Sequence, residues 1–281
     1  MSATKTHMRR EIEEIPEATA RLLDGSAAVL TEAGRGIRER DPHFIVTVAR
    51  GSSDHAATFM KYAVELTAGL AVASVGPSIA SIYGAKLKLG GSACLAISQS
   101  GKSPDIVAMA QAARAGGSLT VAITNTADSP LARACDYAID ILAGPERSVA
   151  ATKTFVNSAV AGLALMAHST GDDKLLAALA RLPEHFRKAI ACDWMALAGA
   201  LETPKSLFIL GRGPSAAIAN EAALKFKETC AMHAEAYSAA EVMHGPLALI
   251  VSFYGFVEAF ARHRGLDPDT PPNLRKVTET I

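Results

Sequence analysis

Five short runs of apolar and small residues, "FIVTVA" (44–49), "AVASV" (71–75), "ACLAIS" (93–98), "LTVAITN" (119–125) and "YAIDIL" (137–142), punctuate the first half of this chain. Two of the stretches between them, 50–69 and 106–117, read as helices. The run at 93–98 is apolar on both faces, which suits an inner strand of a parallel sheet covered by helices on each side. Strands that alternate with helices need crossover connections, so the pattern predicts an α/β fold with a parallel sheet flanked by helices. Residues 11–40 read as helices with Pro16 early, and a helix with Ser53 or Asp54 as N-cap and Gly69 as C-cap follows the first strand. A long helix is expected over "ATKTFVNSAVAGLALMAHST".

Near Leu201 the pattern restarts. "SLFILGRGPSAAIANEAALKFKETCAMHAEAYSAAE" reads as a strand, an Arg-Gly-x-Ser loop and a long helix, the same order as Phe44 to Gly69. Arg50-Gly51-Ser52-Ser53 and Arg212-Gly213-Pro214-Ser215 in matching contexts suggest a duplicated domain. The expected layout is a helical segment at 1–32, a first domain at 33–195 and a second at 200–281. The second is expected to be shortened, with only the helix-like "SFYGFVEAFARHRG" and a polar tail after Ile250.

Bulk properties remove several functional classes. Lys+Arg and Asp+Glu each number 28, so no field of one sign favours nucleic acid or an anionic membrane. The start has no apolar signal region, and the run "AVAGLALMA" is far shorter than the ~18 residues of a membrane span. Cys94, Cys135, Cys192 and Cys230 share no metal or redox spacing and read as reduced, mostly buried thiols. A cytoplasmic protein without metal or organic cofactor is the expectation.

Two loops carry chemistry. Gly51-Ser52-Ser53 and Ser98-Gln99-Ser100-Gly101 both fall at the C-terminal edge of the predicted sheet, where open α/β folds bind ligands. Helix N-termini there offer free N–H groups and a partial positive charge suited to an anion, and serine hydroxyls and the Gln99 amide add donors. The same residues also serve as ordinary turn and cap residues. Together the two loops favour a phosphate cradle, and the absence of GxGxxG and of a P-loop leaves nucleotide sites unsupported. Further on, Glu221, Lys225 and Glu228 stand at i, i+4 and i+7, on one helical face. That face reads either as a solvated salt-bridged surface or as a working set.

"ARGSSDHAA", "SQSGKSPD", "ERSVAATKTF", "EAALKFKETCAMHAEAYSAAEVMHGPLALI" and "PPNLRKVTE" resemble the sugar isomerase (SIS) family. They are most similar to the isomerase half of glucosamine-6-phosphate synthases and to standalone amino-sugar-phosphate deaminases and isomerases. The resemblance implies two tandem flavodoxin-like SIS domains. It also implies a hexose 6-phosphate or amino-sugar phosphate as ligand, bound through Ser53, Ser98, Gln99, Ser100 and Ser103, with Ser52 and the Val149 backbone on the sugar. Glu228 would move the proton between C1 and C2, and Lys276 would form a Schiff base with the ketose. His244 would assist ring opening from the partner subunit of a homodimer. Glu221 and Lys225 would support them. One carboxylate can serve both proton transfers of an aldose–ketose interconversion, and a lysine imine is a better electron sink than a carbonyl. Departures are Lys102 in place of an acidic residue and Ala151 in place of a serine. With Met1-Ser2 in place of a cysteine nucleophile, no glutaminase is expected.

Overall fold

The structure is a computed structural model that describes residues 5–203 and 206–242. Helices α1 (His7–Glu13), α2 (Ile15–Gly25) and α3 (Ala27–Arg40) precede strand β1 (Phe44–Val48). Then come α4 (Ser52–Thr67), β2 (Ala71–Ser74), α5 (Ser78–Ser81), β3 (Ser92–Ile97), α6 (Pro104–Ala115), β4 (Leu119–Thr124), α7 (Pro130–Ala134) and β5 (Tyr137–Asp140). Helices α8 (Lys153–Thr170), α9 (Asp173–Leu179), α10 (Leu182–Ile190) and α11 (Ala198–Leu201) lead to β6 (Ser206–Gly211), α12 (Pro214–Cys230) and β7 (His233–Ser238).

All five strands of the first sheet are parallel, in the order β2-β1-β3-β4-β5. Successive side chains of a strand leave the sheet on opposite faces, and the core divides accordingly. Ile45, Leu95, Ile97, Val121 and Ile123 join Leu30 and Ile37 of α3, Met60 and Val64 of α4 and Leu165 of α8. On the other face Val46, Val48, Cys94 and Ala96 pack with Ile106, Met109 and Leu131 of α6 and α7. All six residues of β3 are buried, as the two-sided apolar run requires.

The N-terminal helices are tied to this domain by buried polar contacts. Asn157 of α8 accepts from Thr19 Oγ1 at 2.9 Å and donates to the carbonyls of Ala18 and Ile141 at 3.0 and 2.8 Å. The Lys153 side chain is 1% exposed, and its ammonium lies 2.7 Å from Glu14 Oε2. Arg21 meets the other oxygen of Glu14, also at 2.7 Å. Burial pushes the Glu14 carboxyl up, but the hydrogen bonds from Lys153 and Arg21 outweigh it and hold the group below its usual range.

Three expectations are corrected. Helix α4 begins at Ser52 with Gly51 as its cap, so neither Ser53 nor Asp54 caps it. The long helix read through to "AYSAAE" ends at Cys230, where Ala231 turns left-handed at φ 49°. The chain then forms β7, parallel to β6. Cys192 and Cys230 are exposed, and only Cys94 and Cys135 are buried. The expected shortening after Ile250 lies outside the described residues. Among these, no helix is long and apolar enough to cross a membrane.

Replacing Glu14 by alanine leaves the buried Lys153 ammonium without its carboxylate. The expected cost is roughly 2–3 kcal/mol, below the ~3–5 kcal/mol of a fully buried pair, because Glu14 is 38% exposed. Urea denaturation checks it, with a lowered midpoint and an unchanged slope expected.

Candidate active site

Strand β1 lies between β2 and β3, so the chain leaves it toward one side and later returns on the other. This reversal of strand order opens a crevice at the C-terminal ends of β1 and β3, where ligands of such sheets sit. The loops that border it are Arg50-Gly51 and Ser98–Ser103. Gly51 adopts φ 57° and ψ −136°, and Gly213 in the second unit adopts φ 59° and ψ −134°. The Arg-Gly-x-Ser repeat therefore encodes one backbone turn used twice, in a region that favours glycine.

Gly101 is held more tightly. Its φ is +61°, and a Cβ there would stand 2.2 Å from Ser129 Oγ and 2.9 Å from Thr124 Oγ1. Its N–H donates to the buried Ser98 hydroxyl at 3.3 Å, and its carbonyl accepts from Leu131 N–H at 3.0 Å. Gln99 is exposed, while its carbonyl takes the Asn125 N–H at 3.0 Å and the Thr124 hydroxyl at 3.3 Å. The Ser100 hydroxyl accepts from Lys102 N–H at 3.3 Å. Ser103 is the N-cap of α6 without a side-chain cap bond, and α4 lacks one too. By contrast, Ser129 caps α7 through Ala132 N–H. The two helices that meet at the crevice thus keep N–H groups for another acceptor.

Helix α12 packs against α4 and brings the candidate carboxylates to this crevice. Lys225 Nζ lies 3.2 Å from Ser52 Oγ, 2.7 Å from Glu228 Oε2 and 3.1 Å from Glu221 Oε1. The last contact is an ion pair without hydrogen-bond geometry, so the buried Oε1 of Glu221 lacks a hydrogen-bond donor. Glu221 is 6% exposed, which excludes the solvated-face reading for that residue. Its Oε2 lies 2.7 Å from His55 Nδ1 of α4. Burial pushes the Glu221 carboxyl up. The His55 bond and the Lys225 charge, helped by the Ser52 hydroxyl, outweigh it and hold the group below the ordinary carboxylate range.

The structure brings together Ser52, Lys225, Glu221 and Glu228, and it sets Ser53 in the first turn of α4 beside them. Val149 sits on the 145–152 loop, its side chain fully exposed. His244 and Lys276 lie outside the described residues. Sequence reasoning missed His55, although it stands three positions after Ser52 and so shares its helical face. It also missed Arg50, whose guanidinium pairs with Asp105 at 3.2 Å and links the β1 loop to the first turn of α6. Burial pushes the neighbouring Asp54 carboxyl up, against the opposing charge of His55.

A profile of the SIS domain matches residues 40–168 and 200–252. The chain belongs to the SIS domain family. It is 34% identical over 264 residues to the glutamine–fructose-6-phosphate aminotransferase [isomerizing] of Symbiobacterium thermophilum, covering 86% of this chain and 43% of that relative. The chain therefore spans less than half the length of that relative. Among solved structures, a protein assigned as a phosphosugar isomerase from Silicibacter pomeroyi DSS-3 superposes with a TM-score of 0.85 at 58% identity. That match covers 88% of this chain and 75% of the other. The C-terminal domain of glucosamine-fructose-6-phosphate aminotransferase from Francisella tularensis gives a TM-score of 0.72 at 29% identity, over 88% of this chain and 73% of that one.

Two outcomes follow from the geometry. Gly101→Ala is expected to distort the Ser98–Ser103 loop and to lower stability by roughly 1–3 kcal/mol in urea denaturation, because the left-handed φ and the Ser129 clash both oppose a Cβ. Glu221 has a lowered folded-state pKa, so its stabilisation is complete above the unfolded carboxylate value and is lost as pH falls through the folded one. Thermal melts across that acid range should show a smaller loss for Glu221→Gln than for the unsubstituted protein.

Proposed function

We propose that this protein is an amino-sugar-phosphate deaminase/isomerase that interconverts glucosamine-6-phosphate and fructose-6-phosphate with ammonia release. The observation that carries this reading is the Lys225 ammonium, which touches Ser52 at the rim of the crevice and Glu228 at the same time. A ligand phosphate seated on the N–H groups and hydroxyls of Ser53, Ser98, Gln99, Ser100 and Ser103 would extend its sugar toward that carboxylate. Likeness to phosphosugar isomerases and to the isomerase-containing aminotransferases supports the same substrate class. The glutamine chemistry of the longer aminotransferases is not carried over.

In the open-chain aldehyde, Glu228 removes the proton from C2 and returns it to C1, leaving an imine at C2. The Lys276 amine adds to that imine and expels ammonia, and water then hydrolyses the resulting Schiff base to the ketose. Lys225 holds the Glu228 carboxylate in place, and Glu221 with His55 holds the helix that carries both. His244 for ring opening, supplied by the partner of a homodimer, and Lys276 for the ketose imine complete the proposal. The division into 33–195 and 200–281 and a cytoplasmic setting belong to it as well.

Purified protein given glucosamine-6-phosphate should release ammonia and fructose-6-phosphate in equal amounts. Glu228→Gln should slow this by roughly 100-fold or more, the range of a general base; full activity in that variant removes Glu228 from the mechanism. Aldose–ketose turnover of hexose phosphates without ammonia would assign a plain isomerase instead. Binding that Ser98→Ala and Ser100→Ala weaken, with no turnover, would assign a sugar-phosphate binding protein.

A further inference from the structure

Helices α1 and α2 precede the segment matched by the SIS domain, yet they reach into the loop expected to face the sugar. Glu11 of α1 is 5% exposed. Its carboxylate accepts the backbone N–H of Arg147 and that of Ser148, the latter at 3.3 Å to each oxygen. Two successive amides held by one buried carboxylate fix two successive peptide planes, and such charge-assisted bonds are stronger than neutral ones.

The far shoulder of the loop is pinned as well. Glu146 accepts from the Thr152 N–H at 3.0 Å, the Thr152 hydroxyl at 3.2 Å and the Thr154 N–H at 3.2 Å. Lys153, next along, is held by Glu14. Between the two anchors only Val149 projects freely, flanked by Ser148, whose amide Glu11 holds, and by buried Ala150. The near end of the loop, Gly144 to Glu146, lines a cavity of about 780 Å³ together with Gln99 of the β3 loop.

We propose that Glu11 is a positioning residue for the sugar. By fixing the Arg147 and Ser148 amides it sets the direction of the Val149 peptide against the bound sugar phosphate. The N-terminal helices are then a working part of the site. The inference rests on the sugar-phosphate reading above. It separates two kinds of recognition: the phosphate is held by the loops of β1 and β3, and the sugar by a loop that Glu11 places.

The experiment compares the unsubstituted protein, Glu11→Ala and Glu11→Gln, using glucosamine-6-phosphate for turnover and inorganic phosphate for binding. Because the positioned loop would contribute binding shared by the ground and transition states, and one hydrogen bond is worth up to about 1.5 kcal/mol, which is about tenfold, Glu11→Ala is expected to raise KM about tenfold while kcat stays within about threefold. Glu11→Gln, which keeps one acceptor oxygen, should recover part of the loss. Phosphate affinity should be unchanged in both. An unchanged KM in Glu11→Ala overturns the proposal, as does a loss of phosphate affinity equal to the loss in KM, which would report general unfolding. If the unsubstituted protein turns over nothing, the deaminase/isomerase reading falls, and calorimetric affinity for glucosamine-6-phosphate replaces KM. If it does not bind that sugar phosphate either, the positioning role is overturned along with the substrate class, and amide exchange at 147–148 still reports whether Glu11 anchors the loop.

Discussion

The parallel pairing of β1 with neighbours on both sides is the constraint on which the rest depends. Because β2 lies on one side and β3 on the other, helices α4 and α6 diverge from adjacent strands and leave their N-termini facing a shared crevice. Neither terminus is capped by its own side chain, whereas α7, one strand further along, is. Unsatisfied N–H groups at a helix start are tolerated where water or a ligand can take them. The fold therefore concentrates uncommitted donors at one place, and the glycines at 51 and 101 let the backbone turn there.

Onto this edge the molecule brings charges at some cost. Glu221, Glu11 and Lys153 are nearly dry, and a buried charge is stabilising only when its partners are well placed. Each has such partners: His55 and Lys225 for the first, two backbone amides for the second, Glu14 for the third. Apolar residues of similar size would serve stability equally well at many such positions. What these pairs supply is direction. They tie α12 to α4, and α1 and α2 to the 145–153 segment, so stretches far apart in the chain are held together.

The second unit repeats the first on a smaller scale among the described residues. β6, α12 and β7 follow the strand–helix–strand course of β1, α4 and β2, with Gly213 copying the backbone of Gly51. Equivalent helices, α4 and α12, then pack against each other. That pairing explains how a helical face polar enough for solvent buries Glu221 and half-buries Lys225.

Much of the fold was legible in the residues alone, because its signals are local. Apolar runs at 44–49, 93–98 and 119–125 announced strands, the second of them an inner one, glycines and serines after the strands announced turns at the sheet edge, and the 221–225–228 spacing announced one helical face. The strand at His233–Ser238 was not legible: "HAEAYS" follows a strong helical pattern, and only pairing with β6 made it a strand. The His55–Glu221 contact and the hold of Glu11 on the 147–148 amides join residues far apart in the chain, and nothing in the spacing of either partner records the other. The sequence by itself determined most of the elements, the class of fold and the loop chemistry, since these follow from side-chain periodicity and backbone preference within a few residues. Only the tertiary structure decided which side chains meet at the crevice. A buried charge finds its partner through packing of whole elements, and that is a property of the assembled chain.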